Sequence, residues 1–265
     1  MCNVEIKVRK ESSVSDRMNE LEDIHSLVTT EKVDIPKDVR KRFWKLVRQI
    51  KRESSPDHDE VQKATEIRNI LFYRDRGRLY PISSYMALQT LFGALSFIIF
   101  YLGLLMQVSW FGILSWGIMD IIAILVRFIG LFFVVALLYP YGRLIAGKVL
   151  GIKSEAVCFD EYHEPTIKID YETFLLANPP RRKWYFFFSG LWTLITASIC
   201  GTLGWFLAGD ILGYAFSILL IIFYIFVIGT GTTKHSRGEM AHYNREKKIE
   251  NAWRRKQKES VSESP

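Results

Sequence analysis

Four long apolar segments limit what this 265-residue chain can fold into. The segments are 84–107, 112–138, 185–208 and 211–229. A helix needs roughly 20 apolar residues to cross the hydrocarbon of a bilayer, because each residue adds about 1.5 Å along the axis. A soluble bundle of four helices would need an amphipathic period that these segments lack. The intervening linkers, 108–111 and 209–210, allow only turns, so the sequence predicts four transmembrane helices in two hairpins.

The distribution of basic residues predicts the orientation of these helices. Four crossings place residues 1–83, 139–184 and 230–265 on one side, and these regions hold 34 of the 35 Lys and Arg residues. Lys and Arg close to membrane spans collect on the cytoplasmic side. We therefore expect a multi-pass, all-α polytopic membrane protein with both termini in the cytoplasm. Its parts are a helical N-terminal region (1–83), a hairpin (84–138), a cytoplasmic insert (139–184), a second hairpin (185–229) and a basic tail (230–265).

Residues 36–52 predict an amphipathic helix with a strongly basic polar face. Its apolar residues recur every three or four positions: Val39, Phe43, Leu46, Val47 and Ile50. Such a helix suits a surface of anionic lipid headgroups, into which its apolar face dips. The residues expected at that surface are Arg40, Lys41, Phe43, Trp44 and Arg48. Packing against another helix of the protein is the alternative, whereas a nucleic-acid partner would leave the apolar stripe unexplained and is not expected.

The remaining cytoplasmic parts carry weaker signals. Residues 16–28 and 59–73 predict two further helices, the second after a Ser-Ser-Pro-Asp stop and start signal. In the insert, residues 157–159 and 166–169 indicate extended chain. We expect a small strand pair there, which makes this cytoplasmic loop the only strand-bearing part predicted.

Two ionisable residues, Asp120 and Arg127, lie within the second apolar segment. A charged group at membrane depth is costly and is a functional hypothesis by default. The two residues are seven positions apart on one helix face, separated by about 10 Å of rise. Either Arg127 leans toward Asp120, or Asp120 lies near the outer boundary while Arg127 faces the bundle interior.

Four potential metal ligands follow the last apolar segment on one helical face: His235, Glu239, His242 and Glu246. Their spacing includes one Glu-x-x-His step, whereas di-iron carboxylate sites use two. The bases that surround them, among them Arg237, oppose a bound cation. A solvated charged helix with local ion pairs is therefore the favoured interpretation, and we expect no metal or other cofactor.

A motif follows the second apolar segment, where residues 139–153 read YPYGRLIAGKVLGIK. This stretch resembles the active-site helix of the intramembrane site-2 metalloproteases. The pattern of that family is His-Glu-x-Gly-His, followed by small residues and a glycine that ends the helix. The matching residues here are Gly142, Ala146, Gly147 and Gly151. In outline the resemblance covers residues 112–200, including Ser189-Gly190 in the next apolar segment.

The resemblance implies an inactive relative of these proteases. In the family, the two His bind zinc and the Glu is the general base. The corresponding residues here are Tyr139, Pro140 and Arg143. Proline cannot transfer a proton, and arginine places a fixed positive charge where the metal cation belongs. The motif remnant, which is Tyr139, Pro140, Gly142, Arg143 and Gly151, thus indicates a pseudoprotease.

The function expected from the sequence is therefore non-catalytic: a membrane scaffold or regulator that binds a protein partner in the membrane. No phosphate-binding loop, dinucleotide-binding glycine motif, G-x-S-x-G or CxxC pair is present in the sequence. Two alternatives stay open. One is an active membrane metalloenzyme that combines the His235–Glu246 face with Tyr139 or Asp120. The other is a small transporter or channel subunit that works through Asp120 and Arg127.

Overall fold

The computed structural model describes residues 2–30, 35–53, 55–76, 78–106, 117–159, 165–230 and 239–262. In chain order the elements of this part are α1 (Cys2–Thr30), α2 (Lys37–Ile50), α3 (His58–Arg76), α4 (Ile82–Leu105), α5 (Ile118–Leu150), β1 (Ser154–Phe159), β2 (Pro165–Ile169), α6 (Tyr171–Leu176), α7 (Pro179–Ala208), α8 (Ile211–Thr230) and α9 (Glu239–Ser262). They form two compact units. The polar unit comprises residues 1–79, 151–183 and 246–265, and the apolar unit comprises residues 80–150 and 184–245.

The polar unit buries the apolar stripe of α2 inside the protein. All five residues of that stripe are at most 5% exposed, and α2 packs on α1 and α3. Phe43 has no exposed surface, so its assignment to the membrane surface is wrong. Burying a side chain of this size is worth roughly 2–3 kcal/mol, which is why the stripe packs inside the protein. Packing within the protein, the alternative interpretation, therefore accounts for the stripe.

Helices α1 and α3 complete this core. Leu21, Ile24 and Val28 of α1 are fully buried, as is Ile67 of α3. Both helices extend beyond the predicted ranges 16–28 and 59–73, because a helix continues through polar residues once one face is packed.

The insert contains the predicted strand pair. β1 and β2 are antiparallel, with Val157 opposite Ile167 and Cys158 opposite Thr166. The chain then enters α6, whose first turn is capped by Asp170: the carboxylate accepts from the N–H groups of the two residues after Tyr171.

The apolar unit contains the predicted membrane helices. Three helices, α4, α5 and α7, are long and apolar enough to cross a bilayer, in agreement with the predicted membrane protein. Helix α8 begins at Ile211 as predicted, but its described apolar run, Ile211–Phe223, is shorter than a span needs. The fourth crossing and the orientation of the helices remain predictions.

Helix α5 is longer than the predicted second span. It begins at Ile118, passes through Pro140 without ending, and stops at Leu150. Its 33 residues measure about 50 Å, against a hydrocarbon thickness of about 30 Å. The boundary predicted at residue 139 therefore lies inside a continuous helix. Gly151 ends this helix with a positive φ of 75°, the left-handed conformation that glycine adopts after a helix.

Helices α4 and α5 pack closely through small residues. A Cβ atom added at Gly130 would lie 2.5 Å from the backbone nitrogen of Phe100, so the glycine permits contact between the backbones. Phe100 and Leu131 belong to the core of the unit, whereas many large side chains face outward. Phe206, for example, is 78% exposed. An apolar outer surface is what lipid solvates.

Candidate functional site

The motif remnant lies in the last third of α5, where Gly142 allows α7 to approach. A Cβ atom added at Gly142 would lie 2.5 Å from Trp192 Cβ and 3.0 Å from the carbonyl oxygen of Ser189. Ser189 is fully buried, and its hydroxyl donates to the carbonyl of Tyr185 at 2.8 Å. Gly142 therefore serves helix packing.

Two residues of the motif remnant, Tyr139 and Arg143, bind one carboxylate. The Tyr139 hydroxyl donates to Glu239 Oε1, and Arg143 Nε donates to the same oxygen at 2.6 Å. The Arg143 guanidinium also lies over the Tyr139 ring, 5.7 Å from its centroid. We call these three residues the Tyr–Arg–Glu cluster.

Glu239, the first residue of α9, is only 4% exposed. This burial contradicts the interpretation of its helical face as a solvated one with local ion pairs. Its second oxygen, Oε2, has no hydrogen-bond partner among the described residues, and the same holds for the buried hydroxyl of Tyr185. Tyr185 interacts electrostatically with both Arg143 and Glu239, so it borders the cluster.

The charges of the cluster determine which chemistry it supports. A guanidinium stays protonated in proteins, so Arg143 contributes a permanent positive charge at this point. Glu239 neutralises that charge, and both ions are held by hydrogen bonds in place of the water they lost on burial. A metal cation would meet the like charge of Arg143. The arrangement therefore favours an ion-pair lock over a metal centre.

Of the other residues of the predicted metal face, His242 and Glu246 contact side chains other than Glu239. His235 lies outside the described residues, and His242 stacks on Phe186 with ring centroids 4.8 Å apart. Glu246 belongs to the polar unit and binds two cations there. In the ranges that the structure describes, no three His, Cys, Asp or Glu side chains are placed to hold a metal ion.

A second buried ion cluster, in the polar unit, was not anticipated from the sequence. One oxygen of Glu246 accepts from Lys51 Nζ at 2.6 Å, and the other accepts from Arg182 Nε at 3.0 Å. Arg182 also donates to the carbonyl oxygens of Leu175 and Lys51. Burial by itself raises the pKa of Glu246, but the two cations outweigh it and hold that pKa below its ordinary value. Burial lowers the pKa of Lys51.

Arg127 faces the interior of the apolar unit and is 2% exposed. Its Nε donates to the carbonyl oxygen of Gly103 at 2.7 Å and a terminal nitrogen donates to that of Met106. These carbonyls lie at the end of α4, where helical N–H partners run out, and that of Gly103 also accepts from the backbone N–H of Met106 at 3.3 Å. The buried Asp210 is the carboxylate that acts electrostatically on Arg127. Asp120 instead accepts from the backbone N–H three residues before it, at 2.9 Å.

The predicted membrane-surface residues of α2 separate into three environments. Phe43 is in the core, and Arg40 forms a two-bonded ion pair with Asp75 at 2.7 and 2.9 Å. Lys41, Trp44 and Arg48 are exposed, with Trp44 at 43%. The exposed residues therefore lie on the face opposite the buried stripe.

No known protein family, curated protein or solved structure matches this chain. The resemblance to the site-2 metalloproteases therefore depends on the motif residues of the sequence alone.

Proposed function

We propose that this chain is a non-catalytic membrane scaffold or regulator, a pseudoprotease in which an ion pair occupies the place of the metal site. The observation that carries the proposal is the Tyr–Arg–Glu cluster. Tyr139 and Arg143 stand at the two zinc-ligand positions of the motif, and both bind Glu239. The two ligand positions are thus occupied by a tyrosine and an arginine, and a hydrogen-bonded carboxylate neutralises the charge of the arginine.

The cluster also supports a holding role because, within the apolar unit, it joins α5 to the first residue of α9. Tyr139 and Arg143 come from α5, and Glu239 comes from α9. Separating a buried pair of this kind leaves an uncompensated charge and costs about 3–5 kcal/mol. Such a lock keeps the helices in one arrangement. A protein that presents a constant surface to a partner in the membrane benefits from that rigidity.

The two alternatives receive less support from the geometry. Tyr139 and Glu239 do meet, as the unusual-enzyme hypothesis requires, but Arg143 shares the same carboxylate oxygen. A transport role requires mobile charge in the second span. Arg127 instead binds backbone carbonyls at the end of α4, which is a structural task.

The proposed topology has four crossings, with both termini and the connection between the hairpins in the cytoplasm. Its support is the gathering of 34 of the 35 Lys and Arg residues outside the predicted spans and on one side. Epitope tags placed before Met1 and after Pro265 are expected to react with antibody from the same side of the membrane. Tags that react from opposite sides would contradict this layout.

Metal content and proteolysis test the non-catalytic assignment directly. The full chain purified in detergent is expected to contain far less than one zinc per chain and to cleave no transmembrane peptide. A triple variant, Tyr139→His with Pro140→Glu and Arg143→His, restores the two His ligands and the general base of the motif beside Glu239, and it is expected to bind more zinc than the unmodified chain. Stoichiometric zinc together with peptide cleavage in the unmodified chain would end the proposal.

A further inference from the structure

The outer face of α2 carries a stripe of basic residues that the internal packing leaves exposed. Its members are Lys37, Lys41, Lys45, Arg48 and, in the turn after the helix, Arg52. With 3.6 residues per turn, these positions fall within about a quarter of the helix circumference. The buried stripe lies on the opposite side. We call the exposed residues, together with Trp44, the α2 outer face.

Other bases of α2 are used inside the polar unit, which distinguishes them from the outer face. Arg40 binds Asp75, and Arg42 binds Glu20 and Asp23 at 3.1 and 2.9 Å. The structure therefore divides the bases of one helix into an inner set that stabilises the unit and an outer set that faces water.

Trp44 adds an aromatic ring to the basic stripe. Its side chain is 43% exposed, although the neighbouring Phe43 ring, 5.0 Å away, is fully buried. An open groove of about 330 Å³ runs beside it, lined by Trp44, Val47, Arg48 and other α2 residues. Tryptophan is enriched at the level of lipid headgroups, where an apolar ring with one polar N–H meets both environments.

We propose that the α2 outer face binds the anionic headgroups of the bilayer that holds this same chain. Charge complementarity favours this occupant, because each Lys or Arg near an anionic leaflet strengthens the attraction about fivefold. The chain also limits the distance, since α3 ends at Arg76 and α4 begins six positions later at Ile82. Six residues span about 20 Å at most, so the end of α3 stays within that distance of the start of α4. The inference rests on the membrane setting of the proposed function and deepens it, by giving the polar unit a docking surface.

This docking mode differs from the one that the sequence suggested. An interfacial amphipathic helix inserts its apolar face into the bilayer, but the apolar stripe of α2 is buried in the core of the polar unit. Binding must then use the basic face and the Trp44 ring. It is therefore electrostatic in the main and sensitive to salt.

Lysine reactivity in the full chain tests the proposal. The protein is placed in nanodiscs, which expose both faces, made of phosphatidylcholine alone or mixed with phosphatidylserine. A water-soluble acylating ester then labels amines, and mass spectrometry gives the rates at Lys41 and Lys45. Lys247 and Lys248, exposed on α9, serve as the internal reference. We expect phosphatidylserine to slow the α2 amines about fivefold relative to the reference, and about 1 M salt to remove the effect.

A matched pair of charge reversals separates the α2 outer face from general attraction. Arg48→Glu leaves both reporter lysines in place and is expected to restore much of their reactivity. Arg255→Glu makes the same charge change on exposed α9 and is expected to leave the protection intact. Equal slowing of the α2 and α9 amines, or no slowing, overturns the proposal.

Soluble polyanions test whether the α2 outer face binds an acidic protein or RNA instead of lipid. Polyglutamate or polyuridylate that protects Lys41 and Lys45 in neutral nanodiscs, while phosphatidylserine does not, assigns the face to an acidic protein or to RNA and overturns the lipid proposal. Failure here is distinct from failure of the proposed function. Stoichiometric zinc would contradict the non-catalytic assignment but would not change the protection of the α2 amines. Equal reactivity of the α2 and α9 amines would contradict the docking surface but would not change the zinc content.

Discussion

The polar and apolar units differ in which side chains they bury and which they expose. In the polar unit, Leu21, Phe43 and Ile67 are fully buried while most charges face outward. In the apolar unit, Phe206 and many other large apolar side chains are exposed, whereas Arg127 and Asp210 are inside. The first pattern suits water, and the second suits lipid, which solvates apolar side chains but not charges. The comparison shows that one chain contains surfaces adapted to two solvents.

The units also differ in how they hold charge inside. The polar unit uses a carboxylate, Glu246, between two cations, while the apolar unit uses the Arg143–Glu239 pair and the carbonyl contacts of Arg127. In both places the buried ions have partners from other helices. Four predictions test the comparison, from the largest expected effect to the smallest.

Removing the central carboxylate of the polar unit is expected to have the largest effect. Glu246→Ala leaves Lys51 and Arg182 buried without their anion and lowers the free energy of unfolding by about 3–5 kcal/mol. Denaturant unfolding of the full chain in detergent, followed by circular dichroism, measures the change. Glu172→Ala is the control, because that carboxylate is 40% exposed and is expected to change stability by no more than about 0.5 kcal/mol. Similar losses in the two variants would contradict the prediction.

Adjacent aromatic residues on α2 provide a matched pair for core burial. Phe43→Ala removes a fully buried ring and is expected to cost about 3–4 kcal/mol, because it leaves a cavity. Trp44→Ala removes a larger ring that is 43% exposed and is expected to cost about 1 kcal/mol at most. Hydrogen exchange of the α2 amides in the full chain measures both. A larger loss for Trp44 would place the core on the other face of α2.

Close packing between helices of the apolar unit is tested by glycine substitution. Gly130→Ala places a Cβ atom 2.5 Å from the Phe100 backbone, which cannot move aside, so we expect a loss of about 1–3 kcal/mol. Gly93→Ala meets only the end of the flexible Leu138 side chain, at 3.2 Å, and is expected to have a smaller effect. Thermal unfolding in detergent compares the two variants. Equal melting temperatures would show that α4 and α5 do not pack through Gly130.

Acid is expected to weaken the polar unit through Glu246. The pKa of Glu246 is lower in the folded protein than its ordinary value of 4.5, because Lys51 and Arg182 outweigh the effect of burial. Its stabilisation is therefore complete above that ordinary value and disappears as the pH falls through the lower folded value. Unfolding free energies measured between pH 6 and pH 3, roughly the range in which carboxylates titrate, should fall more steeply for the unmodified chain than for Glu246→Gln. Parallel curves would contradict the assignment.

Local patterns in the sequence predicted much of the fold. The apolar period of residues 36–52 identified all five residues that α2 buries, because a 3.6-residue repeat maps directly onto one helix face. Gly151 was predicted to end a helix, and it does so with a positive φ. The boundary at residue 139 was placed too early, since an apolar count stops at the first polar residues whereas α5 continues through them.

The sequence identified only part of the candidate site. Tyr139 and Arg143 were recognised from the motif, but their partner Glu239 lies 96 residues beyond Arg143 and was assigned to a solvated face. One feature of the sequence indicates the burial of Glu239 indirectly. An arginine that lies in a helix contact made by small residues needs an anion beside it. The Lys51–Glu246–Arg182 cluster had no such indication, because its members are charged residues of ordinary helices separated by up to 195 positions.

The sequence by itself determined which segments are apolar enough for a membrane and which face α2 buries. Both depend on the residues of one segment and on the helical period, so no distant part of the chain is needed. Tertiary structure alone decided how each buried charge is neutralised. The packing of α2 in the polar unit left its basic side exposed, and the meeting of α5 with α9 gave Arg143 its carboxylate. Such pairings are set by long-range contacts, which leave no periodic trace along the chain.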